Sequence, residues 1–520
     1  MGILGMRIYM LNPPFVPRFS RSMRWQERAR GGTIYYPIWL AYATGLLEKE
    51  GHNVRLVDAP AQNLSLYSVL RDIKKFAPDM VVIETSFTSL HNDMLIVRKI
   101  KQEFPDIITV VVGPPTSQFA DKILKLGADI VARYEYDWTL SELAYTLEKQ
   151  ENLKKVLGIS YKQRSNSHIE IKHNPNRPFS TQNDLDSLPF VTWVYKRHLN
   201  IYDYYLSSAL YPEVQIFSGR GCPFRCTFCA WPQTFMGRKV RLRSVENVIR
   251  ELYYIKAELP FVKEVVFEDD TFGVNRKWLH KFCLRLIQEK LDVTWSCQVR
   301  ADLDYETLQL MSRAGCRLVI VGFESANQHI LNAIKKGISL KQMEKFANNV
   351  RKAGILLHAD FIFGLPKETP ETIAQTIRFI FKIRPEVLQI SIATPFPGTE
   401  FYEWLKRKGY LITENLSEYL DEFGHQRAII SYPSLSAEEI ERWIDKALKM
   451  YYFSPFFITA IFRQIARKNG LEELRRILRA FLSFILYLLE RKLAHFKSEN
   501  HYENKKKKRI KRHSVPTTIY

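Results

Sequence analysis

Short apolar runs alternate with amphipathic stretches twice along this chain, and no other feature restricts its fold so strongly. Over residues 6–150 the apolar runs are Arg7–Leu11, Val54–Val57, Met80–Glu84, Ile107–Val112 and 129–132. Helical periodicity fills the gaps, most clearly at Tyr36–Glu50, where Leu40, Ala43, Leu46 and Leu47 share a face. Strands separated by helices of about 10–15 residues build right-handed βαβ units around a parallel sheet. The class is therefore α/β, and residues 6–150 are expected to form a doubly wound parallel sheet that binds a ligand at its strands' carboxyl ends.

The loops at those ends read Asn12-Pro13-Pro14, Asp58-Ala59-Pro60, Thr85-Ser86-Phe87-Thr88-Ser89 and Gly113-Pro114-Pro115. Small and hydroxylated residues there let a large flat ligand approach the backbone, which nominates Asn12, Ser86, Thr88 and Gly113. The same prolines and glycines also end strands for purely structural reasons. No GxGxxG or GxxxxGK[ST] is present, which argues against a dinucleotide or a P-loop nucleotide.

Residues 151–212 read as a connector, with Leu157–Tyr161 and Ile169–Lys172 able to pair as a hairpin. The alternation resumes over 213–425, with strands at Val214–Phe217, Glu264–Glu268, Thr294–Val299, Arg317–Gly322, His358–Phe363 and Val387–Ile392. Successive βα units of this kind predict a partial (β/α)6 barrel. Its strand ends would bring Glu268, Asp269, Asp270, Arg300, Glu324, Ser325, Asp360 and Pro395 to one pocket.

Three of the six cysteines, Cys222, Cys226 and Cys229, follow the first of these strands as C-x3-C-x2-C. Thiolates are soft ligands that select zinc, Cu(I) or iron–sulfur clusters. A structural zinc site and a typical cluster each close with a fourth ligand. No fourth is evident, because Cys283, Cys297 and Cys316 are isolated and read as buried small hydrophobes. Three thiolates on a cubane leave one iron free to chelate an amino-acid-like molecule. Six cysteines are too few for a disulfide framework, and close thiols suit a reducing compartment. With no signal-peptide pattern at MGILGMRIYML and no apolar run near the roughly 20 residues of a bilayer span, the expected location is cytoplasmic.

With Phe228 before the last cysteine and a barrel strand before the loop, the motif resembles the radical S-adenosylmethionine (SAM) superfamily. The resemblance implies a [4Fe–4S] cluster on Cys222, Cys226 and Cys229 that passes one electron to SAM and yields a 5′-deoxyadenosyl radical. It also implies that Asp269 and its neighbours meet the SAM amino group, Arg300 its carboxylate, and Glu324 its ribose hydroxyls. A doubly wound domain ahead of such a barrel resembles the cobalamin-binding subfamily over roughly residues 6–420. Asn12-Pro13-Pro14, Leu188-Pro189-Phe190, Asp269-Asp270-Thr271-Phe272, Gly364-Leu365-Pro366 and Thr394–Thr399 carry that likeness. The cobalt-ligating D-x-H-x-x-G motif is absent, so cobalamin is expected near Asn12, Ser86, Thr88 and Gly113 without a His ligand. More narrowly, Cys229–Thr234 and Arg241–Ser244 resemble the hopanoid branch that includes a cyclitol ring-contracting enzyme. Its wider neighbourhood holds the anaerobic magnesium-protoporphyrin monomethyl ester oxidative cyclase and radical methyltransferases.

Lys+Arg 76 against Asp+Glu 55 gives +21, and residues 451–520 carry +11 of it from 16 basic and 5 acidic residues. A helical region is expected at 426–500, with helices at Ser436–Tyr452, Pro455–Ile465 and Leu471–Arg491, then an unstructured basic tail at 501–520 containing Lys505–Arg512. A basic amphipathic helix with a polybasic tail suits contact with a membrane's inner face. A cap over the barrel and nucleic-acid binding compete with it, although no RNA-binding domain follows the barrel. The expected function is a radical SAM enzyme, supplied by a donor such as flavodoxin or ferredoxin and assisted by cobalamin. It would rearrange, oxidise or C-methylate a lipid-like or polycyclic small molecule. The alternatives are a radical SAM enzyme acting on RNA and a non-catalytic metal- or cobalamin-binding protein.

Overall fold

The computed structural model describes residues 5–165 and 168–513, and from 493 onward only the course of the backbone. The first half runs β1 (Arg7–Asn12), α1 (Ile38–Lys49), β2 (Asn53–Asp58), α2 (Leu66–Phe76), β3 (Met80–Glu84), α3 (Leu90–Glu103), β4 (Ile108–Val112), α4 (Thr116–Lys125), β5 (Ile130–Ala132) and α5 (Asp137–Glu148). These five strands are parallel in the order β2-β1-β3-β4-β5. The order reverses between β1 and β3, which makes the ends of those two strands the switch point. The connector then adds β6 (Ile159–Ser165) and β7 (His168–His173), which extend the same sheet as an antiparallel hairpin.

Two helices the polar connector concealed follow, α6 (Gln182–Ser187) and α7 (Val191–His198). Thr181 starts α6 with a capping box to Asp184, so capping chemistry places this helix where no apolar period does.

The second half runs β8 (Glu213–Ile216), β9 (Gly219–Arg220), α8 (Ala230–Thr234), β10 (Arg241–Leu242), α9 (Val245–Glu258), β11 (Glu264–Phe267), α10 (Arg276–Gln288), β12 (Trp295–Val299), α11 (Tyr305–Arg313) and β13 (Cys316–Glu324). It continues with α12 (Gln328–Ala333), α13 (Leu340–Lys352), β14 (Leu356–Phe363), α14 (Pro370–Ile383), β15 (Val387–Ile392) and α15 (Glu400–Lys408). Strands β15-β14-β13-β12-β11-β8 form a six-stranded, wholly parallel partial barrel. Three helices close the chain, α16 (Ala437–Tyr452), α17 (Pro455–Ile465) and α18 (Gly470–His513). The backbone of α18 carries the lysine run at 505–508 as helix, where a tail without regular structure was expected, and residues 514–520 of that tail lie outside the described residues.

Residues 13–35 form a strap that leaves β1, crosses the carboxyl edge of the first sheet and enters the mouth of the barrel. Arg21 anchors it, fully buried in an ion pair with Asp93 at 2.6 Å and donating to Asn12 Oδ1 and the Pro13 carbonyl. Beneath it, Glu84 ends β3 at the switch point, where only one of its oxygens has a partner, the Tyr136 hydroxyl. Burial pushes the Glu84 carboxyl from 4.5 up to about 8, with Arg21 and Tyr136 opposing. The folded state therefore holds a proton that the unfolded chain has released, and stability falls as pH rises from about 4.5 to about 8. Glu84→Gln is neutral in both states, so its advantage over the parent in urea denaturation should grow through that window and level off above it.

Candidate active site

The cysteine loop begins where β9 pairs with β10. Gly221 turns it at φ +90°, with a Cβ there lying 2.2 Å from the Lys239 carbonyl oxygen, so only glycine fits. Arg220 beside it is buried against Asp137 at 2.6 Å and Glu135 at 3.7 Å, and Arg241 meets Glu135 at 2.7 Å. These pairs clamp the cysteine loop to the start of α5 in the first half of the chain. Gln233 braces the loop from inside, donating to the carbonyls of Thr227 and Cys229.

Cys222, Cys226 and Cys229 line one cavity together with Asp270, Arg300, Glu324, Lys336 and Asp360, enclosing about 980 Å³ of atom-free space with its mouth included. Burial and the neighbouring Asp270 push the Cys222 and Cys229 thiols above the usual range. Among the described residues no three His, Cys, Asp or Glu side chains converge on a single ion. The three thiols line one open cavity, where they would hold an iron–sulfur cluster able to supply one-electron chemistry.

Arg24 of the strap reaches into the cavity, 3.0 Å from Asp270 and 3.8 Å from Glu268. Burial works against its charge, but the two carboxylates outweigh that and hold Arg24 above its ordinary range. Trp25 packs its indole on Phe228 and Phe396, each 6.2 Å away between ring centroids, and so covers the cysteine loop.

Arg300 leaves the end of β12, lays its guanidinium on the Phe224 ring at 4.0 Å and donates to the Lys336 carbonyl. Glu324 ends β13 at φ +65° and meets Lys336 Nζ at 2.6 Å. Burial raises the Glu324 carboxyl while Lys336 opposes it. Burial also disfavours the charge on Lys336, but Glu324 outweighs that and its pKa lies above the usual value. Asp269 does not line the cavity. It turns back to accept from the Ser218 amide at 2.7 Å and from the Ser218 hydroxyl, and burial lifts it to about 7. Its neighbour Asp270 faces the cavity, as does Asp360, whereas Ser325 and Pro395 do not. Arg24, Trp25 and Lys336 escaped the sequence reading. The basic, aromatic run Arg24-Trp25-Gln26-Glu27-Arg28 between β1 and α1 is the one local signal from which the first two could have been found.

Residues 216–380 match the radical SAM superfamily and residues 28–144 match the B12 binding domain. An uncharacterized methyltransferase of Pyrococcus horikoshii is 33% identical over 456 residues, covering 86% of this chain and 93% of that protein. The chain belongs to the B12-binding radical SAM enzymes. The anaerobic magnesium-protoporphyrin IX monomethyl ester cyclase of Rubrivivax gelatinosus is 25% identical, with 81% of this chain and 79% of that one covered. The radical SAM methyltransferase TsrM of Kitasatospora setae, solved with cobalamin and a [4Fe–4S] cluster, shares the fold at TM-score 0.63. That match has 17% identity and covers 87% of this chain and 89% of the other.

Such an enzyme uses a [4Fe–4S] cluster, SAM and cobalamin. The cysteine cavity fits the cluster. The edge of the first sheet does not fit a corrin in this arrangement. Asn12 binds Asp58 and Arg21, Ser86 binds Ser89, and Thr88 donates to the Gln26 carbonyl. Gly113, at φ +114°, presses its α-carbon so close to Thr85 that a Cβ would lie 2.2 Å from the Thr85 carbonyl oxygen. Gln26 of the strap accepts from the Phe87 amide and, at its carbonyl, from the Thr88 hydroxyl, and Phe87 stacks on Phe396 at 5.0 Å across the gap to the barrel.

Proposed function

We propose that Cys222, Cys226 and Cys229 hold the cluster and that Arg300, Glu324 and Lys336 hold SAM beside it. In this reading the enzyme functionalises a saturated carbon of a lipid-like substrate. The observation that carries it is the convergence of three thiols with an arginine, a carboxylate and a lysine in one cavity at the barrel strands' carboxyl ends. When bound, the cluster supplies the electron that cleaves the SAM sulfonium.

The chain's own residues do the positioning. Arg300 offers a guanidinium flattened on Phe224 to the methionine carboxylate, and the fixed fork suits two parallel hydrogen bonds. Glu324, held by Lys336, keeps an acceptor for ribose hydroxyls. Asp270 takes the cationic amino group once Arg24 lets go of it, so the Arg24–Asp270 pair closes the site before SAM arrives. Trp25 shuts the cysteine face from water, which guards a radical from quenching. Relatives named as methyltransferases support C-methylation as the outcome.

The reading also places the enzyme at a lipid surface. Among the described residues no helix is long and apolar enough to cross a membrane. Yet α18 exposes Leu471, Leu478, Leu482, Leu486 and Leu489 on its outer face, and α17 adds Phe456, Ile458 and Phe462. A helix apolar on both faces leaves one of them without a partner. Arg475, Lys468 and Lys492 border the exposed band, and the basic run at 505–512 follows. Apolar contact ringed by cations suits an anionic bilayer.

Anaerobic reconstitution with iron and sulfide, followed by SAM and dithionite, tests the chemistry. Reductant-dependent 5′-deoxyadenosine supports the cluster assignment, and S-adenosylhomocysteine beside it supports methylation. Deoxyadenosine alone would point to rearrangement or oxidation, and bound zinc without cleavage would overturn the reading. Co-sedimentation with phosphatidylglycerol vesicles but not phosphatidylcholine vesicles, lost in Leu478→Glu/Leu482→Glu, tests the surface.

A further inference from the structure

A second cavity, of about 1070 Å³ with its mouth included, lies under the C-terminal helices, away from the cysteines. Its walls are mostly apolar, with Leu448, Phe457, Ile477 and Phe484 from the last three helices facing Met23 of the strap and Leu388 of β15. Its charged lining groups are engaged elsewhere. Glu27 accepts from the Gln426 amide, Glu386 from the Leu357 amide, and Arg476 is paired with Glu473. Half-buried Arg30 donates through Nη1 to the Ile390 carbonyl but keeps its Nε unpartnered, and buried His358 keeps both ring nitrogens without a hydrogen bond. Asp360 lies 3.1 Å from His358 Nε2 but is not aligned as a hydrogen bond.

The two cavities share the inward face of two strands. His358 lines the apolar one and Asp360 the cysteine one, two residues apart on β14. At about 3.3 Å per residue the separation along the strand is roughly 7 Å. Gln389 and Ser391 repeat the relation on β15, joined by a hydrogen bond of 3.3 Å. At the other end, Phe481 both lines the apolar cavity and stands 38% exposed on α18, so the cavity opens beside the apolar outer band.

We propose that this cavity is the binding site for the apolar body of an amphiphilic substrate. The substrate's oxygen-bearing end accepts from Arg30 and His358 and points along β14 toward the cysteine cavity. This rests on the lipid-like substrate of the proposed function. A largely apolar cavity with a few unpaired polar atoms on its wall selects such a molecule: the walls bind its body and the polar atoms fix its direction. An alkane of equal length would leave those atoms unpaired.

The test uses the full chain and two probes, a diazirine-bearing long-chain alcohol and the corresponding alkane. After photolysis, peptide mass spectrometry is expected to find labels on Leu448, Ile477 and Phe484. The alcohol should bind about tenfold tighter than the alkane, and His358→Phe should narrow that gap without weakening the alkane. Ala480→Trp, which fills the cavity from α18, should remove the inner labels. Labels confined to Leu478, Leu482 and Leu486, or equal affinities for alcohol and alkane in the parent chain, would overturn the proposal. The labelling needs neither cluster nor SAM. A chain that labels as expected but fails to cleave SAM would sink the proposed chemistry and leave this site standing.

Discussion

Cys226→Ala is expected to lose its iron–sulfur absorbance on reconstitution and to make no 5′-deoxyadenosine above background. The fall should be at least about 10³-fold, because groups that act as one unit fail together when any member is removed. Cys226 is the middle thiol of the three and is 9% exposed, so no solvent ligand stands ready to replace it. Cys222 and Cys229 alone would not hold the cluster that the three thiols together would bind. The substitution itself is mild. A buried cysteine packs as a small hydrophobe, and its change to alanine costs on the order of 1 kcal/mol. The thermal midpoint should therefore stay close to the parent's, which separates a lost cluster from a lost fold. Cys283, Cys297 and Cys316 supply the contrast. All three are buried in the barrel wall and none lines the cysteine cavity. Alanine at Cys283 should leave iron content and deoxyadenosine formation intact.

Periodicity made both sheets legible, because each strand is a short apolar run and each helix carries one apolar face. Strands β3 and β15 fall on the residues the sequence marked, Met80–Glu84 and Val387–Ile392. The hairpin β6–β7 was visible as two runs, but nothing local says that it joins the first sheet rather than standing alone. That depends on the exposed edge of β5. The strap was illegible for a different reason. Residues 13–35 have no period, and Arg21 is buried only because Asp93, 72 residues away, meets it. Charge pairing across such distances leaves no trace in spacing. The same limit applies to the site. The cysteine spacing announced itself, and the strand-end rule pointed at Arg300 and Glu324. Which of the adjacent Asp269 and Asp270 faces the cavity is decided by the Ser218 amide, a contact across 51 residues.

Arg317→Met is expected to destabilise the chain by about 3–5 kcal/mol, the cost of leaving buried carboxylates without their cation. Arg317 sits at the start of β13, with its Nε 2.7 Å from Glu264 and its Nη1 2.7 Å from Glu473. It also donates to the Ser208 carbonyl. All three charged side chains are at most 5% exposed. Glu473 shows how much the pair matters: burial would raise its carboxyl, but Arg317 and Arg476 outweigh that and hold it below the ordinary value. Removing Arg317 reverses part of the balance, so the loss measured by urea denaturation should be larger at pH 8 than at pH 5, where the stranded carboxylates take up protons. Arg317→Met/Glu473→Gln should recover part of the stability by removing one unpaired charge. The position of Glu473 makes the effect more than local. It lies in the first turn of α18, where a negative charge also complements the helix dipole, and the same helix brings Ile477, Ala480 and Phe484 over the apolar cavity. Arg317 thus ties that roof to the wall of the barrel. In Arg317→Met, trypsin should cut after Arg475 and Arg479 before the rest of the barrel opens, and the long-chain alcohol should lose its labels on Ile477 and Phe484 while the cysteine cavity still takes up iron.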